Sequence, residues 1–412
     1  MKNEWDVIII GGGAAGCFAA IQAGTHFPGA RILILEKGIK PLAKVRISGG
    51  GRCNVTNELS DPSDLSRNYP RGERFLKKAF YEFSSKDMVS WLLSKNIRLR
   101  TYPDGCLFPE SNDSQAIIDC FLNELNRLHI PLQLESRVDR ILQQEGGWKL
   151  DTNKGEMCCK SVILTTGGQP KISGFQLLEG LDLAIIPPLP SLFTFNMPEE
   201  PVKELMGIVV ENAIVKVAGE KWVSDGPLLI THWGMSGPAV LKCSAFGARI
   251  LADKEYRSEI SVNWTGGEKP EKIRAAFASF AGSSKKMSNT PLFAIKSRLW
   301  TYLLGKAGIP EDKIWSEAGP KQLNRLTEVL FSDSYRMQGK TTFKEEFVTA
   351  GGIDLNEIDV RTMQSKKYPG LFFAGEVMDI DGITGGYNFQ AAWTTAFIAG
   401  KSVLLNKVIS DK

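Results

Sequence analysis

Histidine and paired cysteine are scarce in this chain. Three histidines, and seven cysteines (Cys17, Cys53, Cys106, Cys120, Cys158, Cys159, Cys243) without a C-x-x-C, supply no Cys/His set at metal-ligand spacing. An odd cysteine number with no repeating interval excludes a disulfide scaffold and fits a reducing, cytoplasmic setting. No apolar run approaches the roughly 20 residues needed to cross a bilayer. Met1-Lys2-Asn3-Glu4-Trp5-Asp6 also lacks a signal peptide's shape, because acidic residues precede a four-residue apolar run that meets glycine at once. Charge of one sign is not in excess: 50 Lys+Arg less 46 Asp+Glu leaves +4 over 412 residues, too little to make nucleic acid the main partner. G-x-S-x-G, P-loop and H-E-x-x-H strings are missing, so hydrolase and kinase readings have no support. A soluble, cytoplasmic, metal-free protein of two or three domains acting on a small molecule is the expectation, and composition fixes no oligomeric state.

Glycine is what the chain has in abundance, 40 residues, above the roughly 7% of average usage. The first cluster is the most informative. Residues 7–10 are a β-branched run suited to a strand buried on both faces. Gly11-Gly12-Gly13-Ala14-Ala15-Gly16 follows and matches G-x-G-x-x-G, and residues 14–23 read as a helix lined with small side chains. A second apolar strand, 31–35, ends at Glu36-Lys37, with Glu36 twenty residues after Gly16. Gly11 permits the tight turn, Gly13 lets backbone approach a pyrophosphate, and Gly16 lets helix and strand pack closely; the N–H groups at Ala14 and Ala15 face the phosphates, and Glu36 accepts from a ribose. Dinucleotide binding is the conclusion.

The choice between NAD and FAD rests on the rest of the chain. Residues 132–149 read as an antiparallel pair turning at Glu145-Gly146-Gly147, and 157–164 as a strand running into Thr165-Thr166-Gly167-Gly168. A small meander followed by such a strand resembles two-dinucleotide-binding-domain flavoproteins, which implies that backbone near Val138 reaches the adenine. No later strand is followed by a second G-x-G-x-x-G, so a dedicated nicotinamide domain is not expected. At the other end, 370–376 reads as a buried strand arriving at Gly375-Glu376. Asp379, Asp381-Gly382 and Gly385-Gly386-Tyr387-Asn388-Phe389-Gln390 come next, then a helix over 391–405. N–H groups at that helix start, with about half a positive charge, would favour a reduced flavin if aimed at its N1–O2 edge. FAD is the expected cofactor, with NAD(P)H a transient electron donor visiting a shared cavity.

The most specific string is Arg46-Ile47-Ser48-Gly49-Gly50-Gly51-Arg52-Cys53-Asn54-Val55-Thr56-Asn57. With Thr231-His232-Trp233-Gly234-Met235-Ser236-Gly237-Pro238 and the 374–390 segment, it resembles the HI0933-like flavoproteins over nearly the whole chain. The resemblance implies an α/β fold: a Rossmann-like GR2-type FAD-binding domain interrupted by an insert made of a small β-barrel and a helical subdomain. Strand-like runs at 192–196, 208–217, 221–223, 228–231 and 258–263, then helical patterns at 273–280, 292–304 and 323–330, give the same layout. The expected parts are 1–185 and 341–412 for FAD, 186–265 for the barrel and 266–340 for the helical piece. Family members carry a longer glycine-rich stretch after the T-G-G and a Gly-His before the insert; here 169–175 and Gly180-Leu181-Asp182 stand there, so no role for that histidine is carried over.

The resemblance further places Ser48, Arg52 and Asn54 near the pyrophosphate and the isoalloxazine. Gly50 and Gly51 leave room for backbone against the cofactor, Arg52 neutralises charge, and Lys44 reaches phosphate. Cys53 has no partner cysteine nearby for redox work, and Cys158-Cys159 reads as core packing. For catalysis the candidates are His232, Asn54 and Tyr387, with Asp381 a further acid/base; His232 would face the flavin from a barrel strand's end and supply a proton. Ser236 reads as a helix N-cap with Pro238 in the first turn. The leading activity is an FAD oxidoreductase passing hydride between NAD(P)H, flavin and a small organic substrate, such as the enone that the resemblance implies. An amine oxidase releasing peroxide is one alternative. The other is a flavin-dependent RNA-modifying or redox-responsive binding protein, using Lys269, Lys272, Arg274, Lys285, Lys286, Lys296, Arg298 and Lys306 as a basic face.

Overall fold

The computed structural model describes residues 5–341 and 348–405, so most of the N-terminal hexapeptide read above lies outside the described residues. The described residues divide into two compact units, one of residues 5–190 and 348–405, the other of residues 191–341.

The first unit is organised by a sheet whose centre is parallel. Strand β1 (Trp5–Ile10) lies between β2 (Ile32–Leu35) and β6 (Gly155–Leu164). The short β3 (Leu132–Gln133) pairs with β2, in parallel. Residues 132–149 are therefore not one hairpin: Leu132 and Gln133 join the parallel sheet, and the hairpin is β4 (Val138–Gln144) with β5 (Gly147–Thr152). Gly147 sits in β5 rather than in the turn. Strand β6 changes partner along its length. Its first half pairs antiparallel with β5, while residues 162–164 pair in parallel with β7 (Leu371–Phe373). That switch brings the end of the chain beside its beginning.

Apolar continuity explains the arrangement. Val7, Ile8, Ile9, Val162, Ile163 and Ile34 are fully buried, as strands covered on both faces require. Helix α1 (Ala14–His26) and helix α2 (Tyr387–Ser402) pack on each other through small residues. A Cβ on Gly400 would lie 2.5 Å from the Ala19 carbonyl oxygen. All seven cysteines are free and buried, Cys158 and Cys159 among them. Residues Ile185–Pro190 pair antiparallel with Thr349–Ile353 of the same unit, so the chain leaves this unit after Pro190, not at 186.

In the second unit, the described strands form one sheet in the order Asp333–Gln338, Arg257–Asn263, Val209–Val217, Ser224–Ile230, Gly234–Ser236, Thr194–Asn196, Lys340–Thr341. The first and last of these are one stretch of chain broken only at Gly339, so the sheet closes on itself as a barrel. Gly339 makes the closure: its N–H donates to the Tyr256 carbonyl at 2.9 Å, and its carbonyl accepts from Asn196 N–H at 3.0 Å. Residues 221–223 are not a strand; that strand begins at Ser224. Helices Pro270–Ala278, Ser297–Lys306 and Pro320–Phe331 follow. Their Ile273, Trp300 and Leu330 belong to the same buried cluster as Val215, Ile230 and Ile260 of the barrel. Barrel and helices thus share one core, and the helical piece is not a separate subdomain. No helix of the described residues is long and apolar enough to cross a membrane.

Candidate functional site

The sequence-predicted glycines converge where β1, β2, β6 and β7 end and α1 and α2 begin. Gly11 (φ +109°) turns the chain out of β1, and Gly16 stands so close behind it that a Cβ there would lie 1.8 Å from the Gly11 carbonyl oxygen. Thr165, at the end of β6, donates through its hydroxyl to the Ile10 and Gly11 carbonyls, both at 2.9 Å. It ties the 165–168 string to the first glycine turn. Gly13 caps α1 without a side-chain hydrogen bond, and no acidic residue follows in the first turn.

Glu36 ends β2 within this group. Its carboxylate accepts from Gly12 N–H at 2.7 Å and from Gly38 N–H at 2.6 Å, leaving lone pairs for a ribose. Ser136 N–H donates to the Glu36 carbonyl at 2.8 Å, which brings Val138 close by. Lys37 is exposed. Across the site, Glu376 accepts from Lys44 at 2.7 Å and from Thr349 N–H at 2.9 Å, and it lies against Gly168. Gly375 (φ +77°) comes close to Ala15, where an added Cβ would be 2.9 Å from the alanine methyl.

The glycine-rich string 48–57 breaks its helix at Ser48, Gly49 and Gly50. Gly49, Gly50, Gly51 and Cys53 all have positive φ. Arg52 donates to the Gly49 carbonyl at 3.0 Å and lies 4.4 Å over the Phe108 ring, and Ser48 donates to the Val45 carbonyl at 3.0 Å. Burial pushes the Cys53 thiol up to about 12, so this buried group is no nucleophile at neutral pH.

At the other helix start, the Asn54 amide, oriented so that both its groups are satisfied, donates to the Thr56 carbonyl at 3.0 Å and accepts from Gly386 N–H at 3.1 Å. Asn388 holds Gly382 through both its backbone groups, at 2.8 and 2.9 Å. Phe389 stacks on Trp393 at 5.6 Å, and buried Gln390 bonds Thr56 and Thr394. Tyr387 is buried, and burial raises its phenol to about 12. Asp381 is enclosed in an ion pair with Arg71.

Does this arrangement fit a dinucleotide cofactor? Gly13 has an ordinary negative φ, and a Cβ there would meet nothing within 4 Å; Cβ atoms on Gly50, Gly51 and Gly167 would also point into open space. A cradle of side-chain-free backbone facing outward is what close approach of a phosphate chain requires. The buried Thr349 hydroxyl, beside Gly168, has no partner among the described residues. FAD fits. Gly13, Ala14 and Ala15 would take the pyrophosphate, Glu36 the ribose, and the start of α2 the flavin edge.

His232 belongs to the second unit. It is exposed on the tight turn between Ser224–Ile230 and Gly234–Ser236, its ring 3.5 Å from that of Trp233, while Thr231 and Gly234 bond each other across the turn. Ser236 ends a strand, and the helix cap is Gly237, with Pro238 in the first turn. Reasoning from sequence passed over Thr165 and Thr349, although Thr165 stands in the quoted string; it also passed over Arg71 and Tyr69, which carry no local signal. Of the predicted basic face, Lys272 pairs with Glu268, Lys306 with Asp333, and Arg298 bonds the Glu204 carbonyl; Lys269, Arg274, Lys285, Lys286 and Lys296 are exposed. Among the described residues no His/Cys/Asp/Glu group could hold a metal ion.

Residues 5–402 match the HI0933-like protein Rossmann domain. The chain is similar to a ribosomal RNA dihydrouridine synthase of Escherichia coli (strain K12), 32% identical over 98% of this chain and 99% of that one. It is also similar to a 3-dehydro-bile acid delta(4,6)-reductase of Clostridium scindens, 25% identical over 96% and 98% of the two chains. Among solved structures, 3-ketosteroid delta1-dehydrogenase from Sterolibacterium denitrificans shares the fold, with TM-score 0.52 and 12% identity over all of both chains. The chain belongs to the HI0933-like family, flavin-dependent oxidoreductases built on a Rossmann-type FAD-binding α/β fold.

Proposed function

We propose that this enzyme reduces a carbon–carbon double bond conjugated to a carbonyl, and that its substrate is the uracil ring of ribosomal RNA. The observation that carries the reading is the end-to-end similarity to a protein named for making dihydrouridine in ribosomal RNA. Dihydrouridine is uridine with the double bond next to its carbonyl saturated, so the enone chemistry expected from the sequence and this substrate are one reaction class. The bile-acid relative's name describes a reductase of the same general kind.

Bound FAD supplies two-electron transfer between a nicotinamide donor and the substrate's double bond. The chain's own residues do the rest. Gly13 to Ala15 would bind the phosphates, with Lys44 reaching them only on leaving Glu376, and Glu36 would orient the ribose. Asn54 and Tyr387 are engaged or enclosed within the first unit, so neither is the proposed proton donor. The exposed Lys269, Arg274, Lys285, Lys286 and Lys296 are proposed to meet RNA phosphates, despite the small net charge.

The test is anaerobic. FAD-loaded protein is mixed with NADH or NADPH, the flavin colour is followed, and unmodified ribosomal RNA or a steroid enone is added. Expected is bleaching by one nicotinamide, reoxidation by RNA, and a gain of two hydrogens on one uridine by mass spectrometry. Reoxidation by the enone alone would move the substrate to the small-molecule class. Failure of both acceptors would overturn the reading.

A further inference from the structure

We propose that residues 68–72 form a clamp that sets the position of the turn leading into α2, and thereby sets FAD affinity and the flavin potential. Arg71 and Tyr69 are its positioning residues. The inference is independent of which substrate is reduced.

Polar and packing contacts at four residue pairs join this short segment to residues 380–387. Arg71 donates through Nε and Nη2 to both carboxylate oxygens of Asp381, whose side chain is 0% exposed against 10% for the arginine. The same two residues form an antiparallel bridge. Ile383 N–H donates to the Asn68 carbonyl at 3.0 Å. The buried Tyr69 hydroxyl donates to the Tyr387 carbonyl at 2.7 Å, in the first residue of α2. Gly72 (φ +87°) lies so close to Ile380 that a Cβ would be 2.7 Å from its Cγ1.

Stability alone does not call for this arrangement. A buried ion pair roughly breaks even against apolar residues of similar volume, because both charges lose their water. What a bidentate arginine–carboxylate pair adds is fixed geometry. The part so fixed ends at Gly385 and Gly386, followed by a helix whose first turn carries no acidic residue. Its positive end is worth about half a charge only to a group lying within the first turn. A loosened turn would therefore weaken binding of the more negatively charged reduced cofactor more than binding of the oxidised one. The expected direction is a lower potential.

The experiment uses FAD-loaded protein and four variants: Arg71→Gln, Asp381→Asn, the two combined, and Tyr69→Phe. Thermal melts identify which of them fold. The combined variant replaces the ion pair by a neutral pair, and Tyr69→Phe removes a single hydroxyl, so both keep the test open if Arg71→Gln alone fails to fold. Expected in the folded variants are FAD dissociation constants raised about tenfold and a lower midpoint potential. A tenfold larger loss for reduced than for oxidised cofactor lowers a two-electron potential by about 30 mV. Arg71→Lys, which keeps the charge but not the fork, should recover part of the affinity. Folded variants with wild-type FAD affinity and potential, whatever their melting temperature, would overturn the proposal. Loss of substrate turnover with both quantities unchanged would do so too, while leaving the reaction class untouched.

Discussion

Helices α1 and α2 both begin at a glycine, yet the two glycines are there for different reasons. Gly13, before α1, has a negative φ, and a methyl group at its Cβ position would meet nothing within 4 Å. Gly386, before α2, has φ +87°, and a Cβ there would sit 2.4 Å from the Thr56 carbonyl oxygen. The chain's own packing demands the second glycine and is indifferent to the first. Side-chain-free backbone that nothing internal requires marks where something external must come close, whereas Gly386 is required by its own neighbours whether or not a ligand lies beyond it. A glycine-rich helix start is thus two signals that look alike in sequence and differ once neighbours are known.

Substitutions separate them. The largest effect is expected at Gly16, behind the α1 turn, where a Cβ would overlap the Gly11 carbonyl at 1.8 Å. Gly16→Ala should cost more than ~3 kcal/mol, the upper end for overpacking, and show as loss of soluble folded protein. Next is Gly386→Ala, with a strained φ and a backbone clash, at about 2–3 kcal/mol in a denaturant melt of the FAD-free protein. Gly13→Ala should leave that melt within ~0.5 kcal/mol and weaken FAD about tenfold, ~1.4 kcal/mol. Should Gly13→Ala destabilise the FAD-free protein as Gly386→Ala does, the distinction between the two helix starts is lost.

The same contrast explains which features a local stretch of sequence carries. Gly11, Gly13, Gly16 and Glu36 are legible because a short local spacing carries a turn, a helix start and a strand end together. The 374–390 segment is legible for the same reason except in its helix start, which falls at Tyr387 directly after the glycines and not at residue 391. Arg71 with Asp381 is not, since the partners lie 310 positions apart and neither has a local pattern. Nor is the bond from Asn54 to Gly386, which joins the glycine-rich string to the start of α2. In the second unit, alternation showed most strands, but the three-residue strand Gly234–Ser236 is too short for a period, and so Ser236 reads as a cap. The barrel's closure rests on one glycine joining two short strands, and nothing in its immediate sequence distinguishes Gly339 from an ordinary turn. Shared burial of Trp300 and Val215 likewise follows only from tertiary packing.

The smallest effect expected concerns two thiols, one near each helix start, and it sharpens the comparison electrostatically. Cys17 lies in the first turns of α1, and Cys53 precedes the asparagine that bonds Gly386. Helix N-termini ordinarily lower a thiol's pKa. Here burial outweighs that: it lifts Cys17 to about 12, with the Glu36 charge adding to the rise, and lifts Cys53 to about 12 against a lowering bond from Ser48. Only on the order of 10⁻⁴ of either thiol is ionised at pH 8, and it is the thiolate that reacts. Native protein at that pH should therefore leave both residues unmodified by an alkylating reagent, while denatured protein exposes all seven cysteines. The readout is peptide mass mapping after a timed pulse. Raising the pH toward 10 increases the thiolate fraction about a hundredfold, yet both side chains stay enclosed, so labelling should still lag far behind the unfolded chain. Selective labelling of Cys53 at pH 8 would mean that burial does not govern this thiol.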